Sequence, residues 1–326
     1  MKTNKVLVTL ANESYLDQAK QLFSSAYFNA GWDGDFLLLA HEVSEDKLQW
    51  FKDKGIFIKM CSAIEQNDYR GIVSPVAFSK FYLFTPEIKK WDKAIFFDGD
   101  IIIKRNIFDL LKTDGLTAIR DLPFNNISAF DLLKPNTEKE KELCKSAVNI
   151  IPAECNTFNS GVISLDTKMV TDNSFNNLVD LAKKYASVNN TADQLILNLM
   201  FAKGANILSD HSYNFLLLPT SRLAVLLNSN PHVLHFAGPI KPWNIDNPYR
   251  KTWLKNLSLA DKIIIGKPPK VKSLGFYDRL IFVINFIILK KPNHSDSLKN
   301  KIIGHVGIMI KRLSPSFYHF IKSYEK

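Results

Sequence analysis

The sequence predicts an α/β fold in which a mostly parallel sheet carries helices on both faces. Short apolar runs typical of buried strands recur along the chain, and segments with helical spacing of apolar residues separate the early ones. The composition, 46% hydrophobic and 23% charged residues, is typical of a globular protein. Such sheets bind ligands beyond the carboxyl ends of their strands, so residues at strand ends are the first functional candidates.

The predicted elements follow one another in a regular order. They begin with a strand at residues 5–10, a helix after Ser14, a strand at 36–40, a helix at 45–54 and a strand at 56–60. A further helix is expected to begin at Ser74 and Pro75, because Ser caps helices and Pro suits their first turn. Four more strand patterns cover residues 94–97, 101–103, 116–119 and 162–165.

Two aspartates follow the apolar run at 94–97. The sequence Asp98-Gly99-Asp100 leads directly into the apolar run at 101–103. Carboxylates at i and i+2 of a strand point to opposite faces, but a glycine between them lets the chain bend so that both approach one ion. Carboxylate oxygens suit Mg²⁺ or Mn²⁺ better than Zn²⁺. The alternative is an ordinary polar turn, although apolar residues on both sides are unusual for a solvated turn.

Four further segments complete the functional pattern. Residues 9–15 read TLANESY at the end of the first strand, 158–162 read FNSGV, 191–194 open a helix with TADQ, and 235–243 read HFAGPIKPW. Together with D-x-D they occur in the order found in glycosyltransferase family 8, which the chain resembles over roughly residues 5–250. That family contains glycogenin and bacterial lipopolysaccharide galactosyl- and glucosyltransferases. The resemblance implies a GT-A fold with a Rossmann-like sheet, retention of anomeric configuration and UDP-sugar donors.

The resemblance also implies a role for each matching residue. The ligands of a Mn²⁺ or Mg²⁺ ion would be Asp98, Asp100 and His235, and Lys241 would contact the donor diphosphate. The other donor-binding residues would be Ala11, Asn12, Tyr15, Lys80, Asp98, Asp121 and Gly238. The groups near the reacting sugar carbon would be Asn159, Asp193 and Gln194. Whether Asp193 or Gln194 acts as a nucleophile, or only shields an attack on the same face, stays open at this point.

The expected chemistry requires such groups independently of the family. Breaking a sugar–phosphate bond leaves a nucleoside diphosphate with extra negative charge, which a metal ion, Lys241 and Lys80 would neutralise. The sequence contains neither a G-x-x-x-x-G-K-[ST] loop nor a G-x-G-x-x-G loop. The phosphates would therefore be held by the cation and the lysines.

Each of these residues also has a structural interpretation. Asp193, two residues after Thr191, suits the start of a helix by capping or by its charge. His235 could be a histidine of the core or of a strand end, and His232 has the stronger claim to that role. The remaining alternatives are packing aromatics at Tyr15 and Trp243 and a solvated helix residue at Lys80.

The net charge of +10 is concentrated at the C-terminal end. Residues 262–326 hold 13 Lys and Arg against 3 Asp and Glu, so residues 1–261 are neutral on balance. We therefore predict a GT-A catalytic domain at 1–261 and a basic tail at 262–326. Residues 274–289 and 301–313 have the pattern of amphipathic helices bordered by basic residues, which favours contact with an anionic membrane. The alternative is a helix pair packed on the domain. Nucleic-acid binding is not favoured, because no recognised module occurs and arginines are few.

The compartment and the function follow from these patterns. The three cysteines form no CxxC pair, the N-terminus lacks the pattern of a signal peptide, and the apolar run at 280–289 is shorter than the ~20 residues of a spanning helix. We expect a cytoplasmic enzyme, peripheral on the inner face of the membrane, that transfers a hexose to a saccharide or lipid-linked acceptor in cell-surface polysaccharide biosynthesis. The alternatives are a sugar-phosphate nucleotidyltransferase, for which residues 10–15 lack the Gly- and Lys-rich loop, and a non-catalytic membrane-binding protein. The sequence indicates no oligomeric state.

Overall fold

The structure is a computed structural model that describes residues 4–64, 74–121, 133, 135–151, 155–217 and 231–271. The amphipathic patterns predicted at 274–289 and 301–313 lie outside the described residues. The strands are, in chain order, β1 (Lys5–Ala11), β2 (Asp35–His41), β3 (Phe57–Cys61), β4 (Lys93–Phe97), β5 (Ile101–Ile103), β6 (Leu116–Arg120), β7 (Phe158–Asp166), β8 (Asn206–Leu208), β9 (Phe215–Leu216) and β10 (Val233–His235). The α-helices are α1 (Leu16–Ser25), α2 (Gln49–Asp53), α3 (Glu138–Ile150), α4 (Ser174–Tyr185), α5 (Asp193–Phe201) and α6 (Arg250–Leu259).

A seven-stranded sheet forms the centre of the part of the chain that the structure describes. Its strand order is β3-β2-β1-β4-β7-β6-β8. The first four of these strands are mutually parallel, and β8 is parallel to β6. Strand β7 runs antiparallel to both of its neighbours, β4 and β6. The prediction of a mostly parallel sheet is confirmed.

Alternating side chains of the central strands cover both faces of this sheet. On one face, Val6 and Val8 join a core cluster with residues of α3, α4, α5 and the 3₁₀ helix Pro75–Phe84. On the other face, Leu7 and Phe36 join a cluster with the apolar residues of α1, and α6 packs against α1. Successive residues of a strand point to opposite faces, so strands covered on both sides read as continuous apolar runs.

A second, smaller sheet begins just after the turn that follows β4. Its order is β5-β10-β9, with β5 antiparallel and β9 parallel to β10. It rests on a small core of Ile102, Phe215, Leu217, Leu234, Phe236, Tyr249 and Trp253. The strand predicted at 101–103 therefore exists, but it belongs to this sheet because the chain turns at Asp98-Gly99-Asp100.

The other predicted elements also have counterparts in the structure. The helix predicted at 45–54 is a 3₁₀ turn, Glu45–Leu48, followed by α2. The helix predicted to begin at Ser74 is the 3₁₀ helix Pro75–Phe84, with Pro75 in its first turn. The expected cap is wrong in one detail, because the Ser74 side chain makes no capping hydrogen bond.

The first ten residues of the predicted tail, 262–271, are described and pack on the domain. Ile263 is buried in the cluster that contains α1, and Ile265 packs against it. The Tyr27 hydroxyl donates a hydrogen bond to the carbonyl of Lys267. Within the described residues, no helix has both the length and the apolar character needed to span a bilayer.

Candidate active site

The acidic pair lies in the turn that connects the two sheets. Asp98 follows the last residue of β4, and its N–H donates a hydrogen bond to the carbonyl of Gly161 in β7 (2.9 Å). Strand β10 runs beside β5 with His235 opposite Ile101. This register brings Nε2 of His235 to 3.2 Å from Oδ1 of Asp100 and 3.9 Å from Oδ2 of Asp98.

The three side chains fit a divalent metal ion. One ligand atom each from Asp98, Asp100 and His235 lies within 4.8 Å of the others. Oδ1 of Asp100 is buried and, despite its closeness to the His235 ring, accepts no hydrogen bond of normal geometry. A buried carboxylate oxygen without a hydrogen bond is costly unless a cation binds it. Two carboxylates are the hard ligands that Mg²⁺ and Mn²⁺ take.

Lys241 lies beside Asp100. Its Nζ is 2.6 Å from Oδ2 of Asp100 and donates a hydrogen bond to the carbonyl of Phe236 (2.8 Å). Gly238 lies in the bend between Phe236 and Lys241. Burial raises the pKa of Asp100, but His235 and Lys241 outweigh burial and hold that pKa below its ordinary value. Asp100 is therefore held in its carboxylate form beside the ammonium of Lys241.

Lys80, in the helix Pro75–Phe84, is buried between two carboxylates. Its Nζ lies 2.6 Å from Oδ2 of Asp193 and 3.1 Å from Oδ1 of Asp98, and it donates to the carbonyl of Ser160 (3.0 Å). Burial disfavours its charge, yet Asp193 and Asp98 raise the pKa of Lys80 above its ordinary value. Lys80 is only 2% exposed, so the alternative of a solvated helix residue is wrong.

Asp193 begins α5, and its carboxylate is committed to Lys80. The residue preceding the helix is Ala192, and no side chain caps the helix N-terminus. The alternative in which Asp193 caps the helix is therefore wrong, whereas its charge does lie in the first turn of α5. Burial raises the pKa of Asp98, with Lys80 and His235 acting in the opposite direction. Through Lys80, the first residue of α5 is tied to the acidic pair.

Side-chain amides connect the rest of the predicted site. Asn159 Nδ2 donates to Oε1 of Gln194 (2.9 Å), and Gln194 Nε2 donates to Oδ2 of Asp121 (2.6 Å). Asp121 follows β6 and is buried. The structure thus brings Asn159, Gln194 and Asp121 together. In the sequence, Asn159 lies 35 residues and Asp121 lies 73 residues before Gln194.

The end of β1 forms a cleft beside the acidic pair. Residues Leu10, Ala11, Asn12, Tyr15, Ser74, Val76, Ala77, Asp98, Gly99 and Asp100 line it. The Tyr15 ring is 38% exposed and meets Trp243 edge to face, with centroids 5.7 Å apart. Tyr15 and Trp243 therefore pack on each other while Tyr15 stays partly exposed to solvent. The predicted nucleotide-pocket residues line one cleft that reaches the predicted metal ligands.

His232 has the structural role expected of it. Its ring stacks on Tyr213 with centroids 4.4 Å apart, and Nδ1 makes a hydrogen bond with the carbonyl of Asn106. It directly precedes β10, whereas His235 ends that strand and faces the acidic pair.

The fold and the site together define a glycosyltransferase of the GT-A class. The sequence pattern predicted an acidic pair at the end of a strand of a Rossmann-like sheet. The structure has this pair after β4, with His235 and Lys241 from a later segment beside Asp100. The model of the glycosyl transferase family 8 matches residues 6–247. The chain belongs to glycosyltransferase family 8.

Curated relatives agree with this assignment, and a solved structure has the same fold. The glycosyltransferases GlyA and GlyF of Streptococcus pneumoniae serotype 4 (strain ATCC BAA-334 / TIGR4) are 23% and 24% identical over 76% and 74% of this chain, which covers 34% and 57% of their own lengths. Glycogenin-1 of Caenorhabditis elegans is 22% identical over 73% of the chain and 50% of its own length. The chain therefore spans about a third to just over half of these relatives. The galactosyltransferase LgtC, in complex with donor and acceptor sugar analogs, has the same fold, with a TM-score of 0.57, 19% identity and coverage of 85% of this chain and 99% of LgtC.

One residue of the site, Asn214, was not predicted from the sequence. Asn214 is 2% exposed and its amide lies between His235 and Asn159. Nothing in the local sequence Tyr213-Asn214-Phe215 marks it, because its partners lie 21 and 55 residues away.

Proposed function

We propose that this protein is a retaining hexosyltransferase that uses a UDP-sugar donor and a bound Mn²⁺ or Mg²⁺ ion. The acceptor is a saccharide or a lipid-linked saccharide, and the product contributes to a cell-surface polysaccharide. The observation that carries the proposal is the convergence of Asp98, Asp100 and His235, with ligand atoms within 4.8 Å. The two aspartates also line the cleft that contains Ala11, Asn12 and Tyr15.

The residues of the site have different roles in such a transfer. When bound, the metal ion would supply positive charge for the leaving diphosphate at the ligands Asp98, Asp100 and His235. Lys241, fixed beside Asp100, supplies a second positive charge at the same place. Ala11 and Asn12 line the cleft with Tyr15, which is partly exposed and is the candidate for stacking on a base.

The groups proposed for the sugar side lie across Lys80 from the acidic pair. Asp193 is held by Lys80, while both amide atoms of Gln194 are engaged by Asn159 and Asp121. This arrangement holds a carboxylate and an amide at fixed positions near one another. A positively charged sugar carbon is stabilised by such fixed negative charge and dipoles.

Membership of family 8 and the LgtC structure with donor and acceptor sugar analogs support transfer over the alternative of a sugar-phosphate nucleotidyltransferase. A measurement of turnover would distinguish the proposed enzyme from the alternative of a non-catalytic protein. We also propose that the basic tail places the enzyme on the inner face of an anionic membrane, as its 13 basic and 3 acidic residues suggest.

The first prediction concerns metal-dependent turnover. Hydrolysis of UDP-hexoses without an acceptor should require Mn²⁺ or Mg²⁺ and stop in EDTA. Asp100→Asn should lower the rate by roughly 10²-fold or more, because a charged metal ligand is lost. The matched control is Asp114→Asn, since the Asp114 side chain is 97% exposed and forms a surface ion pair with Lys93. NMR of the first-formed sugar anomer would test retention.

Two outcomes would contradict the proposal. Full activity in EDTA would remove the metal from the mechanism. Absence of any hydrolysis or transfer with every UDP-hexose, despite a folded protein that binds Mn²⁺, would favour the non-catalytic alternative.

A further inference from the structure

The orientation of the amides in the site is fixed by backbone donors. The N–H of Gly161 donates to Oδ1 of Asn159 (3.0 Å), so that atom of the Asn159 amide is the oxygen. The atom of Asn214 that lies 2.9 Å from the same oxygen must then be its Nδ2, which donates. Oδ1 of Asn214 consequently faces Nδ1 of His235 at 2.8 Å.

This orientation determines which nitrogen of His235 carries a hydrogen. An amide oxygen can only accept, so Nδ1 of His235 must be the donor. A neutral imidazole protonated at Nδ1 has its lone pair on Nε2. Nε2 is the atom that faces Asp100 and Asp98 at 3.2 Å and 3.9 Å. The ring is thus presented with its metal-binding nitrogen toward the two carboxylates.

We propose that Asn214 is a positioning residue for the metal site, acting through His235. It selects the Nδ1–H form of the ring and fixes its rotation by one hydrogen bond. Metal-ligating histidines generally need such a partner on their second nitrogen. The strand pairing supports the assignment, because Phe215 and Leu216 pair with Leu234 and His235, and this register holds Asn214 and the ring together.

The same hydrogen bonds connect the metal ligands to the sugar side of the site. From His235 they run through Asn214, Asn159 and Gln194 to Asp121, with distances of 2.8, 2.9, 2.9 and 2.6 Å. Each amide donates in the same direction along the path from Asn214 to Asp121. A change at Asn214 therefore affects both His235 and Asn159, and the two effects are separable by the choice of substitution.

The test compares two substitutions at Asn214. Asn214→Leu removes both hydrogen bonds at similar volume and should weaken binding of Mn²⁺ alone, followed by the EPR signal of free Mn²⁺, by about 10- to 100-fold. Asn214→Asp keeps an acceptor for Nδ1–H but places an oxygen against Oδ1 of Asn159. It should bind Mn²⁺ at least as well as the unaltered protein and still transfer sugar more slowly.

The control is Tyr185→Phe. It removes a partly buried hydrogen bond, between Tyr185 Oη and Ser146 Oγ (2.9 Å) at the contact of α3 and α4, and should leave Mn²⁺ affinity unchanged. Mn²⁺ affinity of Asn214→Leu equal to that of Tyr185→Phe would overturn the proposal. An equal loss of affinity in Asn214→Asp and Asn214→Leu would also overturn it, because the acceptor would then be irrelevant.

A second measurement does not depend on metal binding. In ¹⁵N spectra of histidine-labelled, metal-free protein recorded at alkaline pH, His235 should carry its single ring hydrogen on Nδ1. Protonation at Nε2 in the unaltered protein would overturn the proposal even if Asn214→Leu failed to fold. The inference rests on the proposed metal site, but the two fail differently. Lack of Mn²⁺ binding by the unaltered protein would remove the proposed function, whereas the histidine spectra would still decide the role of Asn214.

Discussion

Gly161 lies against the His235 ring where a larger residue cannot fit. A Cβ atom at Gly161 would lie 2.3 Å from Cε1 of His235 and 2.9 Å from Oδ2 of Asp98. Gly99, between the two aspartates, differs, because a Cβ atom there would meet nothing nearer than Tyr15 Cδ1 at 3.6 Å. Neither glycine is among the described residues with positive φ. The two positions therefore differ in the space available for a side chain and not in a need for glycine's backbone conformation.

These two glycines provide a matched pair of substitutions. Gly161→Ala should weaken Mn²⁺ binding by about 10-fold or more, because the His235 ring or Asp98 must move. It should also destabilise the fold by about 1–3 kcal/mol, as overpacking does. Gly99→Ala should keep Mn²⁺ affinity and stability. Titration with Mn²⁺ and thermal unfolding check both, and equal effects of the two substitutions would contradict the role given to Gly161.

Lys241 gives a second prediction for a single residue. Lys241→Ala should lower kcat by roughly 10²-fold, because a charge beside the leaving diphosphate is lost. Mn²⁺ affinity should not fall, since the ammonium that pairs with Oδ2 of Asp100 at 2.6 Å is removed. The exposed residue Lys255 of α6 supplies the control, Lys255→Ala. An unchanged kcat for Lys241→Ala would make Lys241 structural.

How far the sequence predicts the site depends on how local each signal is. Asp98 and Asp100 were predictable because they follow a buried strand directly, and His235 because it belongs to a specific motif. The burial of Lys80 was not predictable, since its carboxylate partners lie 18 and 113 residues away in sequence. Asn214 was missed for the same reason. Contacts that depend on strand pairing leave no local pattern.

At the scale of elements, the start of α5 shows a backbone constraint. Ala192 precedes the helix with φ 53° and ψ −126°, a region that residues other than glycine rarely adopt. The carbonyl of Ala192 accepts a hydrogen bond from Nδ2 of Asn189 (2.8 Å). This conformation directs Asp193 toward Lys80 and Gln194 toward Asn159 and Asp121.

Substitution of Ala192 by glycine tests this constraint. Ala192→Gly should raise the free energy of unfolding by about 1 kcal/mol, because relief of strain exceeds the entropy that glycine loses on folding. The control Ala182→Gly, in the buried middle of α4, should lower it by about 1 kcal/mol. Denaturant unfolding measures both. Destabilisation by both substitutions to the same extent would show that Ala192 is not strained.

The elements themselves were largely predictable from apolar runs, but their arrangement was not. The run at 162–165 indicated a strand without its direction, and β7 proved to be antiparallel to its neighbours. The run at 101–103 gave no sign that β5 would leave the main sheet, because a turn at Gly99 changes direction without changing the pattern of buried residues. Local periodicity reports burial, whereas strand direction depends on the connections.

At the scale of the whole molecule, the boundary between domain and tail that charge indicates differs from the boundary that packing indicates. The excess of basic over acidic residues begins at 262, yet Ile263 is buried in the core and Ile265 packs against it. A truncation that respects the packing should therefore keep residues 1–271. It removes ten of the 13 basic residues of the predicted tail and both amphipathic patterns, whereas Lys262, Lys267 and Lys270 stay.

The last prediction is that this truncated form, 1–271, loses affinity for anionic vesicles and keeps metal-dependent hydrolysis of UDP-sugars. Each basic residue near an anionic bilayer contributes on the order of 1 kcal/mol, and apolar residues such as Phe282, Phe286 and Ile302 add a contribution that salt does not screen. Raising the salt concentration should therefore weaken attachment of the full chain only in part. Co-sedimentation of both forms with anionic and neutral vesicles measures this. Equal sedimentation would remove the membrane role, and an insoluble truncated form would favour a tail that packs on the catalytic domain.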